Sequence, residues 1–249
     1  MLRLSCYPNV CYADEFHQTY VAISTLSFAY KHFKQVSLIK NFHKLKSLVC
    51  NMQTDENYLL IQENHEFSHF LAGEKLYDSI KLSICFENYI KAALLSQGFV
   101  IHTIDRKVNN KKYKNLYERQ QSEPISISEL KTLEPFSTDD INKKYVIEAL
   151  KNYTLGLSSI LDEHEYMKYL PEIDGNLKQF ILSYYQTRNT LHFAGSPLFL
   201  LSPDLINMLG KLIHFINKNI VHKHNDLIMN FTDKYNQTPF LETPKLSEI

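Results

Sequence analysis

Along Leu177–Phe193 (LKQFILSYYQTRNTLHF) the apolar positions Leu177, Ile181, Tyr184 and Leu191 recur at three- and four-residue steps. That period predicts one inward face of a helix running from about Glu172 to Phe193 and closed by Ala194-Gly195-Ser196-Pro197. Arg188 falls on the same stripe, and His192 lies one turn beyond it. A helix that only packs has no use for an arginine on its inward stripe.

The same periodicity organises the rest of the chain. Asp14 can cap a helix reaching about Lys34, with Phe16, Tyr20, Ile23, Leu26 or Ala29, and Phe33 inward. A second helix from about Val36 carries Ile39, Phe42, Leu45, Val49 and Met52, and a third covers Glu56–Leu71. Gly73 offers a break, so residues 1–72 read as an N-terminal helical region. The next helix, Glu74–Gln97, has Gly98 as its C′ residue. Leu76, Ile80, Ile84, Leu94 and Leu95 line one side of it, and Leu82, Phe86, Tyr89 and Ala93 another. A helix apolar nearly all round is a buried helix, yet Glu87 and Lys91 fall on the first stripe. At i,i+4, glutamate first, they are placed to pair.

Residues 99–137 lose the pattern and read as an insertion with its own short helix or a substrate-facing loop. Ser137 or Thr138 then caps a helix over Asp140–Leu161, with Ile141, Tyr145, Ala149 or Leu150, Tyr153, Leu157 and Ile160 inward. After Pro171 and the helix described first, Asp204–Lys223 forms another on Leu205, Met208, Leu209, Leu212, Ile213, Ile216 and Ile220. Residues 229–249 carry little packing pattern and read as a loose tail. The expected class is all-α, with a bundle over 73–228.

Composition agrees with helices: only 6 of 249 residues are glycine. The 27 basic and 27 acidic residues cancel, so any charged surface must be local. The local excess is Arg106–Arg119, where Arg106, Lys107, Lys111, Lys112, Lys114 and Arg119 face a single acid, Glu118. Tyr113 and Tyr117 interleave with them, a composition suited to contacting RNA phosphates and stacking on bases. Cys6, Cys11, Cys50 and Cys85 form no close ligand pair and read as reduced thiols. The opening MLRLSCYPNVCYADE has no apolar core of a signal peptide, and no apolar run approaches about 18 residues. A soluble cytoplasmic protein is expected.

Arg188 and His192 share one helix face, a turn apart. That pairing suits a phosphodiester: arginine as a charged fork on the phosphorane, histidine as acid or base near neutral pH. Asn189 can orient either side chain. The 2′-OH of RNA supplies an internal nucleophile, so the chemistry needs no metal and no cofactor.

Two segments together, Cys85-Phe86-Glu87-Asn88-Tyr89-Ile90-Lys91-Ala92-Ala93-Leu94-Leu95 through Gly98 and Arg188-Asn189 with His192, resemble the HEPN superfamily (higher eukaryote and prokaryote nucleotide-binding domain). The resemblance spans about residues 74–225. It implies a helical bundle that dimerises, and a metal-independent endoribonuclease of toxin–antitoxin or phage-defence type, its site shared between protomers. By position it makes Arg188, Asn189 and His192 the motif and Glu87 the supporting acid, with Lys91 beside it. RNA, a second copy of the chain, and a cognate antitoxin or defence-system protein are the implied partners. The family usually sets its Arg and His further apart than the three intervening residues here, and Phe193 follows where some members carry a further histidine. A catalytically degenerate module that binds or senses RNA, a nucleotide or a partner protein is the alternative.

A rival motif lies in His65-Glu66-Phe67-Ser68-His69, an HExxH that on a helix presents two zinc ligands and a general base. Glu87, eighteen residues after His69, would be the third ligand of a zinc metallopeptidase. The preceding Gln62-Glu63-Asn64 is more polar than the approach to a buried zinc helix, and a solvated face is the simpler reading. No P-loop, GxGxxG or GxSxG occurs, which argues against nucleoside-triphosphate hydrolysis, dinucleotide binding and serine hydrolysis.

Overall fold

The computed structural model describes residues 15–52, 58–105, 111–133, 150–189 and 202–237. The fold class is all-α, and its described strands are confined to one two-stranded antiparallel ribbon. Among the described residues no helix is long and apolar enough to cross a membrane. The chain forms two compact units, each assembled from distant segments.

The first unit draws on the described residues within Met1–Leu26, Glu87–Glu172 and Asp226–Leu241. It holds the start of α1 (Glu15–Lys34), the end of α4 (Tyr58–Leu95), β1 (His102–Ile104), α5 (Lys111–Gln120), α6 (Ile127–Leu133), β2 (Leu150–Thr154), α7 (Leu157–Asp162) and α8 (His164–Met167). Most of α11 (His222–Tyr235) completes it. Tyr89 through Leu95 are all buried, as a helix apolar on every side requires. Gly98 stops α4 with φ 87°, where the Phe99 and Gly98 amides donate to the carbonyls of Leu94 and Leu95, a Schellman cap. Phe231 is buried in α11 and packs against Phe16 and Tyr235. The expected tail therefore begins inside a packed helix.

Residues 99–133 and 150–154 carry the main departure from expectation. Val100, Ile104, Leu116, Ile125, Ile127, Leu130 and Leu150 form a common core, so this stretch is packed structure around two helices. β1 pairs with β2 through His102↔Thr154 and Ile104↔Leu150, with an irregularity between. The helix expected over Asp140–Leu161 is corrected where it can be seen: 150–154 is strand, Tyr153 is exposed, and only α7 is helical. Residues 134–149 lie outside the described set. The aromatic and β-branched Tyr153-Thr154 suit an extended chain, and Gly156 weakens a continuous helix. Pairing with the backbone of β1 decides the matter by offering a ladder.

The second unit draws on the described residues within Ser27–Phe86 and Ile173–Asn225. α2 (Ser37–Lys40) and α3 (Phe42–Met52) replace the single helix expected from Val36, divided at Asn41, whose amide groups both donate to the Ser37 carbonyl. Ile39, Leu45 and Val49 are buried as expected. Asp78, 1 % exposed, accepts from the backbone amides of Ser37 and Leu38 at 2.8 and 3.0 Å, capping α2 from another helix. α4 runs through Gly73 without a break; one glycine costs about 1 kcal/mol there and does not end the helix.

α9 (Gly175–Asn189) starts three residues later than expected, at the Asp174 cap, whose carboxylate accepts from the Leu177 amide at 2.9 Å. Leu177, Ile181 and Tyr184 form its buried face. α10 (Pro203–Ile216) is capped by the Ser202 hydroxyl, with Pro203 in its first turn. Leu209, Leu212, Ile216 and Ile220 are inward as expected, together with Ile206 and Phe215. A π-helical turn over Asn217–Val221 then joins α10 to α11. There the Asn219 side-chain amide donates to the Phe215 carbonyl at 3.0 Å, an insertion into the backbone ladder of the kind that accompanies a widened turn.

Candidate functional site

Arg188 and Asn189 occupy the last turn of α9, on its helical backbone. Arg188 stands at i+4 from Tyr184 and i+7 from Ile181, both buried, so by register it continues the inward face. The Arg188 and Asn189 side chains, and His192 as a whole, lie outside the described residues.

Glu87 and Lys91 are brought together. The Lys91 ammonium donates to the Glu87 carboxylate at 2.6 Å, with Lys91 9 % exposed and Glu87 half-buried. The opposite charges offset each other at this depth, and glutamate N-terminal to lysine at i,i+4 is the favourable order.

The basic stretch is distributed more widely. Lys111, Lys112 and Tyr113 open α5, their side chains outside the described set, as are Arg106 and Lys107 entirely. Lys114 is exposed. Arg119 is engaged by two carboxylates, Glu123 and Glu129, which hold its guanidinium pKa above the ordinary value, the Glu129 hydrogen bond contributing most. The helix thus mixes an accessible cation with one tied into surface ion pairs.

His65, Glu66 and His69 lie on the backbone of α4, their side chains likewise outside the described set. Among the described residues no three His, Cys, Asp or Glu side chains gather as they would around a metal ion. Cys85 is fully buried, and desolvation pushes its thiol pKa up, which makes it unreactive. Cys50 is an exposed, reduced cysteine.

Two features carried no local signal in the sequence. The first is a cleft of about 280 Å³ in the first unit. Its walls come from β1 (Thr103), α5 (Tyr117), β2 (Tyr153, Thr154) and α7 (Ser159), with Gln121 just past α5. Gln120 braces it: its side-chain oxygen accepts from the Ile104 amide and its nitrogen donates to the His102 carbonyl, each at 2.8 Å. The buried Tyr166 hydroxyl donates to the Gln120 carbonyl at 2.8 Å, which fixes α8 beneath α5.

The second is His224, fully buried in α11. Its Nε2 lies 2.6 Å from the Ser27 hydroxyl, and burial lowers its pKa. Within α11 it is one of two histidines two residues apart, a spacing without meaning until α1 is placed beside it. No family model matches the chain, and neither a curated protein nor a solved structure matches it.

Proposed function

We propose that the chain is a metal-independent endoribonuclease that works as a homodimer, in keeping with its resemblance to HEPN proteins. The observation carrying this reading is the register of α9: three buried apolar residues, then Arg188 one turn further along the same face. Arginine is the side chain suited to that task, since its planar charged fork matches a phosphate.

The chemistry follows from the residue types. The RNA 2′-oxygen attacks the adjacent phosphorus while His192 of one protomer takes the hydroxyl proton. Arg188 stabilises the two negative oxygens of the phosphorane. The P–O5′ bond breaks, and the 5′-oxygen leaves with a proton from the second protomer's His192. The products are a 2′,3′-cyclic phosphate and a 5′-OH end. Asn189 orients the pair, and exposed basic side chains such as Lys114 contact RNA phosphates.

Incubation with end-labelled single-stranded RNA in excess chelator tests the reading. Cleavage to cyclic-phosphate ends is expected, and Arg188→Ala and His192→Ala should each abolish it while the dimer persists. Undiminished cleavage by both variants would sink the mechanism.

A second reading is favoured by the Glu87–Lys91 pair. Glu87 already has a cation on its own helix, as a purely structural carboxylate would. On that reading the chain binds RNA without cutting it, with an affinity that falls steeply as salt rises.

A further inference from the structure

The cleft of the first unit has a lining that contrasts with its surroundings. Among the described residues no acidic or basic side chain lines it, although it borders the basic helix α5. What lines it is aromatic and neutral-polar: the rings of Tyr117 and Tyr153, the hydroxyls of Thr103, Thr154 and Ser159, and the amide of Gln121. At about 280 Å³ it lies near the lower limit of small-ligand sites, which run from about 300 to 1,000 Å³.

That lining selects a chemistry. A phosphate placed inside would lose its hydration with no cation to replace it, a large penalty. A neutral planar ring would lose little, since a tyrosine face stacks on it and hydroxyls and amides meet its polar edge. The Gln120 brace and the buried Tyr166 keep the walls in place before any ligand arrives, so little ordering remains to be done on binding.

The rim completes the picture. Lys114 and Tyr117 stand at i and i+3 on one stripe of α5, and Gln121 follows just past its end. Tyr117 and Gln121 line the cleft and Lys114 is exposed one turn away. A cation beside a neutral aromatic pocket is the arrangement that a nucleotide within a strand requires, with the base inside and the backbone outside. Arg119, already held by Glu123 and Glu129, is poorly placed to take that part.

We infer that this cleft receives one unpaired nucleobase of single-stranded RNA, stacked on Tyr153 and held at its edge by the neighbouring hydroxyls, while Lys114 contacts an adjacent phosphate. The inference rests on the reading that the chain engages RNA, and it adds where a base is gripped, with residues other than Arg188 and His192.

The test separates binding from cleavage by using a labelled single-stranded oligonucleotide with 2′-O-methyl groups, which lacks the nucleophile and cannot be cut. Its affinity for the full chain is measured by fluorescence anisotropy, with free nucleosides as competitors. Tyr153→Ala should weaken binding by about five- to a hundredfold, and Tyr153→Phe should bind nearly as the original chain does. Ser159→Trp, which fills the cleft from an exposed position, should weaken it comparably. Lys114→Ala should reduce the dependence of log affinity on log salt by about one.

Wild-type affinity in both Tyr153→Ala and Ser159→Trp would overturn the inference. So would competition by neutral saccharides or inorganic phosphate in place of nucleosides. Binding that depends on the cleft, with no cleavage of unmodified RNA, would overturn the nuclease reading and leave the base site standing. No binding of any oligonucleotide would overturn both.

Discussion

Lys91 and Glu87 hold each other one turn apart on α4, ammonium to carboxylate at 2.6 Å, with Lys91 9 % exposed. Removing Glu87 takes from the Lys91 ammonium the carboxylate it is bonded to at this depth. Glu87→Gln should therefore lower stability by about 1–2 kcal/mol, less than a fully buried pair because both side chains reach some solvent. For a chain of this size that is a fall of about 2–8 °C in melting temperature. Glu87→Gln/Lys91→Met should recover part of the loss, and a double variant melting no higher than Glu87→Gln would contradict the pairing argument.

Asp78 caps α2 from a distance, accepting from the Ser37 and Leu38 amides. Asp78→Ala leaves two buried donors without an acceptor and should cost about 2 kcal/mol, with Asp78→Asn between it and the original chain. Burial raises the Asp78 pKa against the opposing pull of those amides and of Lys81. The folded state thus holds this proton more tightly than the unfolded one, so its contribution declines as pH climbs from about 3.9 through the folded value. Chemical denaturation of the three proteins at pH 7 measures the order; equal midpoints would show that the cap contributes nothing.

Gly98 allows a third measurement with little ambiguity. A Cβ there would meet the Gln18 side chain at 3.8 Å, an ordinary contact, so sterics from neighbours add nothing. What remains is the backbone at φ 87°. Gly98→Ala should then cost about 1–2 kcal/mol from conformation alone. A melting temperature equal to that of the unsubstituted chain would mean that the turn relaxes to another cap.

These three sites differ in how far the sequence announced them, and the reasons are physical. Gly98 and the Glu87–Lys91 pair are local: a C′ glycine and an i,i+4 pair are complete within one turn, and both read correctly. The stripe Leu177, Ile181 and Tyr184 was equally legible, because a 3.6-residue period needs no knowledge of the partner surface. Asp78 was invisible, since the amides it caps are forty positions away. β2 was misread because Tyr153, Leu157 and Ile160 also satisfy a helical spacing, and only pairing with β1 breaks the tie. The cleft draws its described walls from residues between Thr103 and Tyr166, none of those charged, and no local motif encodes such a lining. Of the motif itself, the sequence places Arg188 and Asn189 on a helix that the structure shows, while His192 lies beyond the described residues.

His224 sets the pH response. It is fully buried, its Nε2 shares a 2.6 Å contact with the Ser27 hydroxyl, and burial lowers its pKa below the ordinary value of about 6.5. As pH falls below that value the unfolded chain takes up the proton first, so the unfolded state is favoured and stability drops until the folded pKa is passed. His32 acts in the same direction, lowered by burial and by Lys31 and Lys81. The chain should therefore melt at progressively lower temperature between pH 7.5 and 5 (about the range in which an imidazole titrates). His224→Gln keeps a polar group near Ser27 and removes the titration. It should melt lower at pH 7.5, with a shallower slope that retains the contribution of His32 and the opposing one of Asp78. A slope as steep as that of the original chain would show that the buried imidazole has no part in the acid response.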